Sequence, residues 1–228
     1  MSSSDMIIAN NISRIYDVPG GSFTALDDVS ISIARGCFCI LRGRSGSGKT
    51  TLMNILNTLD TPTKGEVLID GKNILNLSER AKENLRRKDF GFVFQAVSLI
   101  PSLTAFQNVE FSLRMSGMRI GKDSNKRVEE CLKMVGLGGR MSHMPSEMSG
   151  GEMQRVAVAR AFAHRPKVIF ADEPTAELDS AMASKVTQTF KKMAHDENIT
   201  ILMTTHDVGL MGAADMIIEL ENGVRING

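Results

Sequence analysis

The sequence predicts an α/β fold: a mostly parallel sheet with helices on both faces, an N-terminal antiparallel β portion and an inserted helical subdomain. Three observations carry that reading. Apolar strand patterns alternate with helical ones, the order that builds parallel crossover units. One strand–helix junction holds a glycine-rich loop, Gly43-Arg-Ser-Gly-Ser-Gly-Lys-Thr50. Residues 96–163 are helical in pattern, with no convincing strand among them.

The elements follow in order. Residues 29–33 alternate in polarity and 37–41 form a continuous apolar run, so both read as strands. Residues 50–58 read as a helix with Leu52, Ile55, Leu56 and Leu59 on one side. A short strand over 66–69 closes on the Asp70-Gly71 turn. Residues 90–94 give another strand, 106–115 and 126–135 give two helices, and the glycines of 136–139 break the chain. A helix over 151–163 stops before Pro166. Next come a buried strand at 168–171, a helix at 180–194 and a strand at 199–204. A last strand at 216–220 turns back through Glu221-Asn222-Gly223. The division implied is a single domain over 1–228, with a core made of 1–95 and 164–228 and a helical insertion of 96–163.

A chain of 228 residues is long enough for one sizeable core. Its formal net charge of +1 gives no bulk attraction to nucleic acid or to an anionic membrane. The run Arg86-Arg87-Lys88 reads as a solvated helix face. Three cysteines, Cys37, Cys39 and Cys131, do not make a disulfide framework and fit the reducing cytosol. Cys37 and Cys39 fall on the same side of a strand, as small buried side chains rather than a metal pair. No apolar run reaches membrane-spanning length, and the first residues lack the basic-then-apolar order of a signal peptide. A membrane role would therefore run through a partner. Of the fifteen methionines, those between Met115 and Met153 cluster in the insertion and read as adaptable core filling. The alternative is a plastic groove for a helix of a membrane partner.

The chemistry starts at the glycine-rich loop. Its glycines let the backbone curl so that successive N–H groups converge on one anion. The helix that follows adds the positive end of its dipole. Gly43, Arg44, Ser45, Gly46, Ser47, Gly48, Lys49, Thr50 and Thr51 are the candidate phosphate-binding residues of a P-loop NTPase core. Lys49 can reach the β- and γ-phosphates of a nucleoside triphosphate, and the Thr50 hydroxyl can ligate magnesium.

Residues 168–173, Val-Ile-Phe-Ala-Asp-Glu, put two carboxylates at the C-terminal end of an apolar strand. That is the sheet edge where ligands sit in open α/β folds. Asp172 is placed to hold magnesium, directly or through water. Glu173 is placed to polarise an attacking water as general base. Met148-Ser-Gly-Gly-Glu152 opens another helix with a serine cap, a second anion-facing N-terminus. It could serve a second ligand or reach the γ-phosphate of another subunit's nucleotide.

Taken in order, these motifs resemble the nucleotide-binding subunit of ABC transporters over roughly residues 6–226. The resemblance implies the rest of a site. Tyr16 stands where the family stacks an aromatic ring on adenine. Gln95, after Phe92-Val-Phe94, stands where a glutamine senses magnesium and couples to the transmembrane partner. Ser149, Gly150, Gly151 and Glu152 match the signature that touches ATP on the opposite subunit. Ala176-Glu-Leu-Asp179 matches the loop facing that subunit, with Asp179 as an in-trans contact. His206 matches the histidine on the γ-phosphate.

The implied catalytic set is Glu173, His206 and Lys49, and the implied magnesium set is Thr50, Gln95 and Asp172. ATP and Mg2+ are the implied cofactors. The implied partners are a second copy, closing head to tail on ATP, and a separate transmembrane permease, with no nucleic acid. The implied place is the cytoplasmic face of the cell membrane, reached through that permease. Two departures stand out. The signature has Met148 and Glu152 where Leu and Gln are usual, and Glu152 adds negative charge near the opposite nucleotide. The facing loop carries Glu177 where a small or neutral residue is commoner.

Residues 17–26 read as an extended turn after Tyr16. With residues 99–109 they resemble the ATPases of lipoprotein-release, macrolide-export and cell-division systems. That implies an exporter or lipoprotein-release ATPase. The alternatives are an ATPase that signals mechanically across a membrane without transport, and a soluble ATPase acting on nucleic acid or ribosomes. A single ATPase core and near-zero net charge weigh against the last. The end at Gly228 gives the expectation of no appended regulatory domain, and the lack of a fused span that of a separate permease.

Overall fold

A computed structural model describes residues 5–227 of the chain. Two sheets form. The first is antiparallel, in the order β2-β1-β4-β5, from β1 (Asp5–Val18), β2 (Gly21–Ala34), β4 (Lys64–Ile69) and β5 (Lys72–Asn73). The second has six strands in the order β10-β9-β3-β8-β7-β6. They are β3 (Phe38–Arg42), β6 (Phe90–Val93), β7 (Val168–Asp172), β8 (Thr200–Thr204), β9 (Met216–Glu221) and β10 (Val224–Asn227). All pair in parallel except β10, which returns antiparallel to β9. Six helices complete the fold: α1 (Lys49–Leu56), α2 (Glu79–Lys88), α3 (Ala105–Ser116), α4 (Lys122–Met134), α5 (Gly150–Phe162) and α6 (Ser180–Asp196).

The inner parallel strands β3, β7 and β8 are mostly apolar because both faces are covered. Along β3, Phe38 and Ile40 enter one core while Cys39 and Leu41 enter the other, as period-two alternation requires. Cys37 packs on the same side as Cys39, and the three cysteines are free thiols. The Cys39 side holds α1 and the inner face of the antiparallel sheet. The Phe38 side holds α3 to α6. Val109 and Leu113 of α3 and Val128 and Leu132 of α4 lie in the same cluster as Ile169 and Ile201 of the sheet. The helices between β6 and β7 thus share one continuous core with the sheet.

Several local expectations are corrected. The span 17–26 is not an extended turn: β1 and β2 pair to Val18↔Gly21, so only Pro19 and Gly20 form the turn. Tyr16 accordingly sits inside a strand. The strand β1 escapes a periodicity reading because its alternation is interrupted by register shifts between Ala9 and Ile12 and between Ile12 and Arg14. Leu59 lies beyond the end of α1 and is 53% exposed.

The helix α2 has no buried residue, hence no apolar stripe to read. It is specified by the Ser78 cap on Ala81 N–H (3.3 Å) and by Glu79 at its start against Arg86, Arg87 and Lys88 at its end. Of that basic run, Arg87 and Lys88 are exposed. Arg86 instead donates to the carbonyl and hydroxyl oxygens of Thr58. The methionines divide: Met148 is buried, while Met115 and Met118 are exposed.

Asp70 ties the two sheets together at the turn between β4 and β5. It accepts from Lys167 Nζ (2.7 Å) and Arg35 Nη2 (2.5 Å). The Lys167 hydrogen bond, then that of Arg35, holds its carboxyl down at about 2, below the usual 3.8. A depressed carboxyl contributes stability above its unfolded pKa and loses it as pH falls through the folded one. Asp70→Asn suits the left-handed φ of 50°. It is expected to destabilise by about 1 kcal/mol at pH 7, after allowing for solvent screening. The difference should shrink between about pH 4 and pH 2. Urea midpoints across that range check it.

Candidate functional site

Four neighbouring strands present their C-terminal ends on one edge, in the order β3-β8-β7-β6. A polar group follows each: the loop 43–48 after β3, His206 after β8, Glu173 after β7 and Gln95 after β6. Pairing sets Leu41 opposite Thr204 and Thr204 opposite Asp172. The loop, the histidine and the acid pair therefore leave the sheet at one level. Strand order collects them, since they are far apart in the chain.

The loop is closed down on itself. Lys49 is only 8% exposed, and its ammonium donates to the carbonyls of Gly43 (2.8 Å) and Arg44 (3.0 Å). A Cβ on Gly43 would lie 2.3 Å from the Leu220 carbonyl, and one on Gly48, at φ 100°, 2.7 Å from the Ala25 carbonyl. Side chains are thus excluded where the loop is clamped between β9 and β2. Ser47 Oγ is buried without a hydrogen-bond partner. The helix α1 starts at Gly48 with no side-chain cap, so its first N–H groups lack a protein acceptor. An orphaned hydroxyl, an ammonium and an uncapped helix start suit a polyphosphate. Arg44, Ser45, Gly46 and Thr50 are exposed around it and Thr51 is half-buried.

The acid pair is held by Thr204, a buried residue. Its hydroxyl donates to Asp172 Oδ1 (2.6 Å) and accepts the Glu173 N–H (2.9 Å). Glu173 adopts φ 44°, a left-handed conformation costing about 1–2 kcal/mol for an L-residue. Its Oε2 lies 3.0 Å from His206 Nδ1. A cleft of about 330 Å³ opens beside the pair, lined by Glu173, Leu178, Ser180, Thr205, His206 and Asp207.

The remaining residues divide. Gln95 is exposed just beyond β6. Tyr16, opposite Phe23 in the hairpin, donates its hydroxyl to Asp60 Oδ2 (2.7 Å), and the Arg14 guanidinium covers its ring at 4.3 Å. Asp179 caps α6, accepting from Met182 N–H (2.9 Å). Glu177 is exposed. Ser149 caps α5 and forms a reciprocal box with Glu152. A Cβ on Gly151 would meet Leu178 Cδ2 at 3.0 Å, so the loop after β7 packs against this helix start. The charge on Glu152 is not isolated, because Arg140 Nε lies 3.1 Å from its Oε1.

The helix α5 runs antiparallel to β6. A Cβ on Gly91 would meet the Ala161 carbonyl at 2.2 Å, while Gln154 Nε2 reaches the Phe94 carbonyl at 3.5 Å. Ser149 therefore lies past the end of β6, three strands from β3. Three strand spacings are about 14 Å, too far for the two helix starts to clasp one phosphate group.

Sequence reasoning missed Thr204, the Arg14–Asp60 pair and Arg140. Thr204 was legible as a hydroxyl ending an apolar strand. Its partners required the register Thr204↔Asp172, which periodicity does not give.

A phosphate loop on a parallel sheet, with an acid pair two strands away, defines a nucleoside-triphosphate hydrolase. A profile of the ABC transporter family matches residues 26–176. The chain belongs to that family and is an ATP-binding ATPase subunit of the ABC type. It is 45% identical over 218 residues to an uncharacterized ABC transporter ATP-binding protein, MJ1508, of Methanocaldococcus jannaschii, covering 96% of each chain. It is 38% identical over 221 residues to the macrolide export ATP-binding/permease protein MacB of Syntrophobacter fumaroxidans, spanning 96% of this chain and 31% of that protein. The solved dimeric structure of the ATP-binding cassette MJ0796 in a post-hydrolysis state, bound to ADP and Pi, superposes with TM-score 0.90. It is 40% identical, with 97% of each chain covered.

Proposed function

We propose that this chain works as a head-to-tail pair that hydrolyses MgATP and drives a separate membrane permease of the exporter or lipoprotein-release type. The carrying observation is the distance between the Ser149 helix start and the chain's own phosphate loop. Each is an anion-facing terminus, and only a second copy can bring one over the other. The dimeric ADP-bound relative supports this reading.

In the pair, the loop 43–48, Lys49 and the start of α1 bind the triphosphate, and Tyr16 offers its ring to the base. Thr50, Asp172 and Gln95 would hold Mg2+, whose charge offsets that of the phosphates. Thr204 fixes the acid pair, His206 orients Glu173, and Glu173 accepts the proton of the attacking water. Ser149, Gly150, Gly151, Glu152 and Asp179 face the opposite site. Residues 96–163 act as one helical subdomain that carries the signature, against a core of 1–95 and 164–228.

Among the described residues no helix is long and apolar enough to cross a membrane. A groove of about 1010 Å³ lies between α2, β6, α3 and α5. Its wall includes Phe94, Phe111 and Met115, all exposed, and its rim Arg80 and Arg87. An amphipathic cytoplasmic helix of the permease with acidic flanks fits that chemistry, and the groove adjoins Gln95. On this reading the chain works at the cytoplasmic face of the membrane, reached through the permease.

Two copies per active site make specific activity depend on concentration. At low protein, Mg-dependent ATP hydrolysis is expected to rise with the square of chain concentration, then become linear once pairs predominate. Strict linearity from nanomolar to micromolar chain overturns the two-copy reading. ATP-driven solute movement in vesicles holding the co-purified permease separates transport from mechanical signalling.

A further inference from the structure

The signature helix of this chain carries a carboxylate, Glu152, where an anion should dock. That carboxylate is fully occupied. Its Oε2 accepts the Ser149 N–H (2.9 Å) and the Ser149 hydroxyl (3.1 Å), and its Oε1 faces Arg140 Nε at 3.1 Å. The Ser149 N–H bond, with smaller help from the Arg140 and Arg155 charges, holds the Glu152 carboxyl below its usual value. It is charged at neutral pH.

That charge has two consequences for an approaching triphosphate. It offsets the positive end of α5, which is what a helix start offers an anion. It also holds the Ser149 hydroxyl, which must change acceptors before it can donate to a phosphate. Arg140 bears on both. It sits in the segment between α4 and α5, outside the signature, and reaches the Glu152 oxygen that Ser149 does not use. Its Nη1 lies 3.0 Å from His143 Nε2, which steadies the guanidinium.

We infer that Arg140 is a positioning residue for the in-trans ATP site: it neutralises Glu152 so that Ser149 and the start of α5 can close over the nucleotide of a second copy. The inference rests on the two-copy reading above. Arg140 touches no nucleotide atom in it and acts only through Glu152.

The test uses the hydrolysis-deficient Glu173→Gln chain, with ATP and magnesium, and reads the dimer dissociation constant by sedimentation. Each dimer contains the Arg140–Glu152 pair twice, so Arg140→Ala should weaken dimerisation about tenfold. Glu152→Gln alone removes the repelling charge and should tighten it. The double variant Arg140→Ala with Glu152→Gln should restore it, and Arg140→Lys should retain most of it. Added salt should narrow the gap between Arg140→Ala and its parent. A scaffold role would not be rescued by Glu152→Gln, so an Arg140→Ala defect that persists in the double variant overturns the inference. Equal dissociation constants for Arg140→Ala and its parent also overturn it. If the parent chain forms no ATP-dependent dimer, the two-copy reading fails first, and the inference falls with it.

Discussion

Glu173→Gln is expected to lower ATP turnover about a thousandfold, the middle of the range for losing a general base. That equals about 4 kcal/mol on the barrier. The change is nearly isosteric, so the strained backbone at φ 44° and the Thr204 bond to the Glu173 N–H persist. A glutamine oxygen can still face His206 Nδ1. What disappears is basicity, because an amide cannot take the proton from water near neutral pH. The phosphate loop is untouched: Lys49 stays on the Gly43 and Arg44 carbonyls, and Ser47 remains the buried hydroxyl without a partner. Nucleotide affinity should therefore stay within about threefold, well under 1 kcal/mol. ATP that binds without turning over should accumulate paired chains. Single-turnover hydrolysis and nucleotide titration check both halves. Hydrolysis at the unmodified rate removes Glu173 from the base role.

The parts of this protein legible in sequence are those whose physics is local. The loop 43–50 announces itself because glycine spacing and a following helix are enough to make an anion nest. The strands β3, β7 and β8 announce themselves because burial on both faces forces unbroken apolar runs. The hidden parts depend on partners far along the chain. Bulges erase the alternation of β1. The helix α2 has no buried residue, so only its cap and end charges betray it. Thr204 looks like any strand residue until register sets it against Asp172. In the sequence Glu152 is a liability, a negative charge near the opposite nucleotide. The structure supplies Arg140 at 3.1 Å and turns the liability into half of a pair.

Arg127 is a further residue whose weight only the structure shows, and Arg127→Ala is expected to destabilise the fold by about 3 kcal/mol. In sequence it is one more charge on a polar helix. In the fold its side chain, 9% exposed, reaches inward from α4. Both Glu197 oxygens accept from it at 2.7 Å. Its Nε and Nη2 also donate to the carbonyls of Ala163 (3.2 Å) and Phe162 (3.1 Å). Those carbonyls end α5, where the helix has no internal donors left for them. One guanidinium thus joins α4, the end of α5 and the turn from α6 into β8.

Removing it leaves the Ala163 carbonyl and the Glu197 carboxylate without their donor, while the Phe162 carbonyl keeps the Arg165 N–H (3.1 Å), and unpaired buried groups dominate such losses. Glu197 is 23% exposed, so water relieves part of its share and the figure stays at the low end for a broken buried pair. For a chain of this size that is a drop of about 10 °C in melting temperature. Arg127→Lys should recover less than half, because an ammonium cannot serve the carboxylate fork and two carbonyls at once. Adding Glu197→Gln to Arg127→Ala should return part of the loss by removing the unpaired charge. A melting shift under about 2 °C for Arg127→Ala, below 1 kcal/mol for a chain of this length, would show that solvent replaces the guanidinium without penalty.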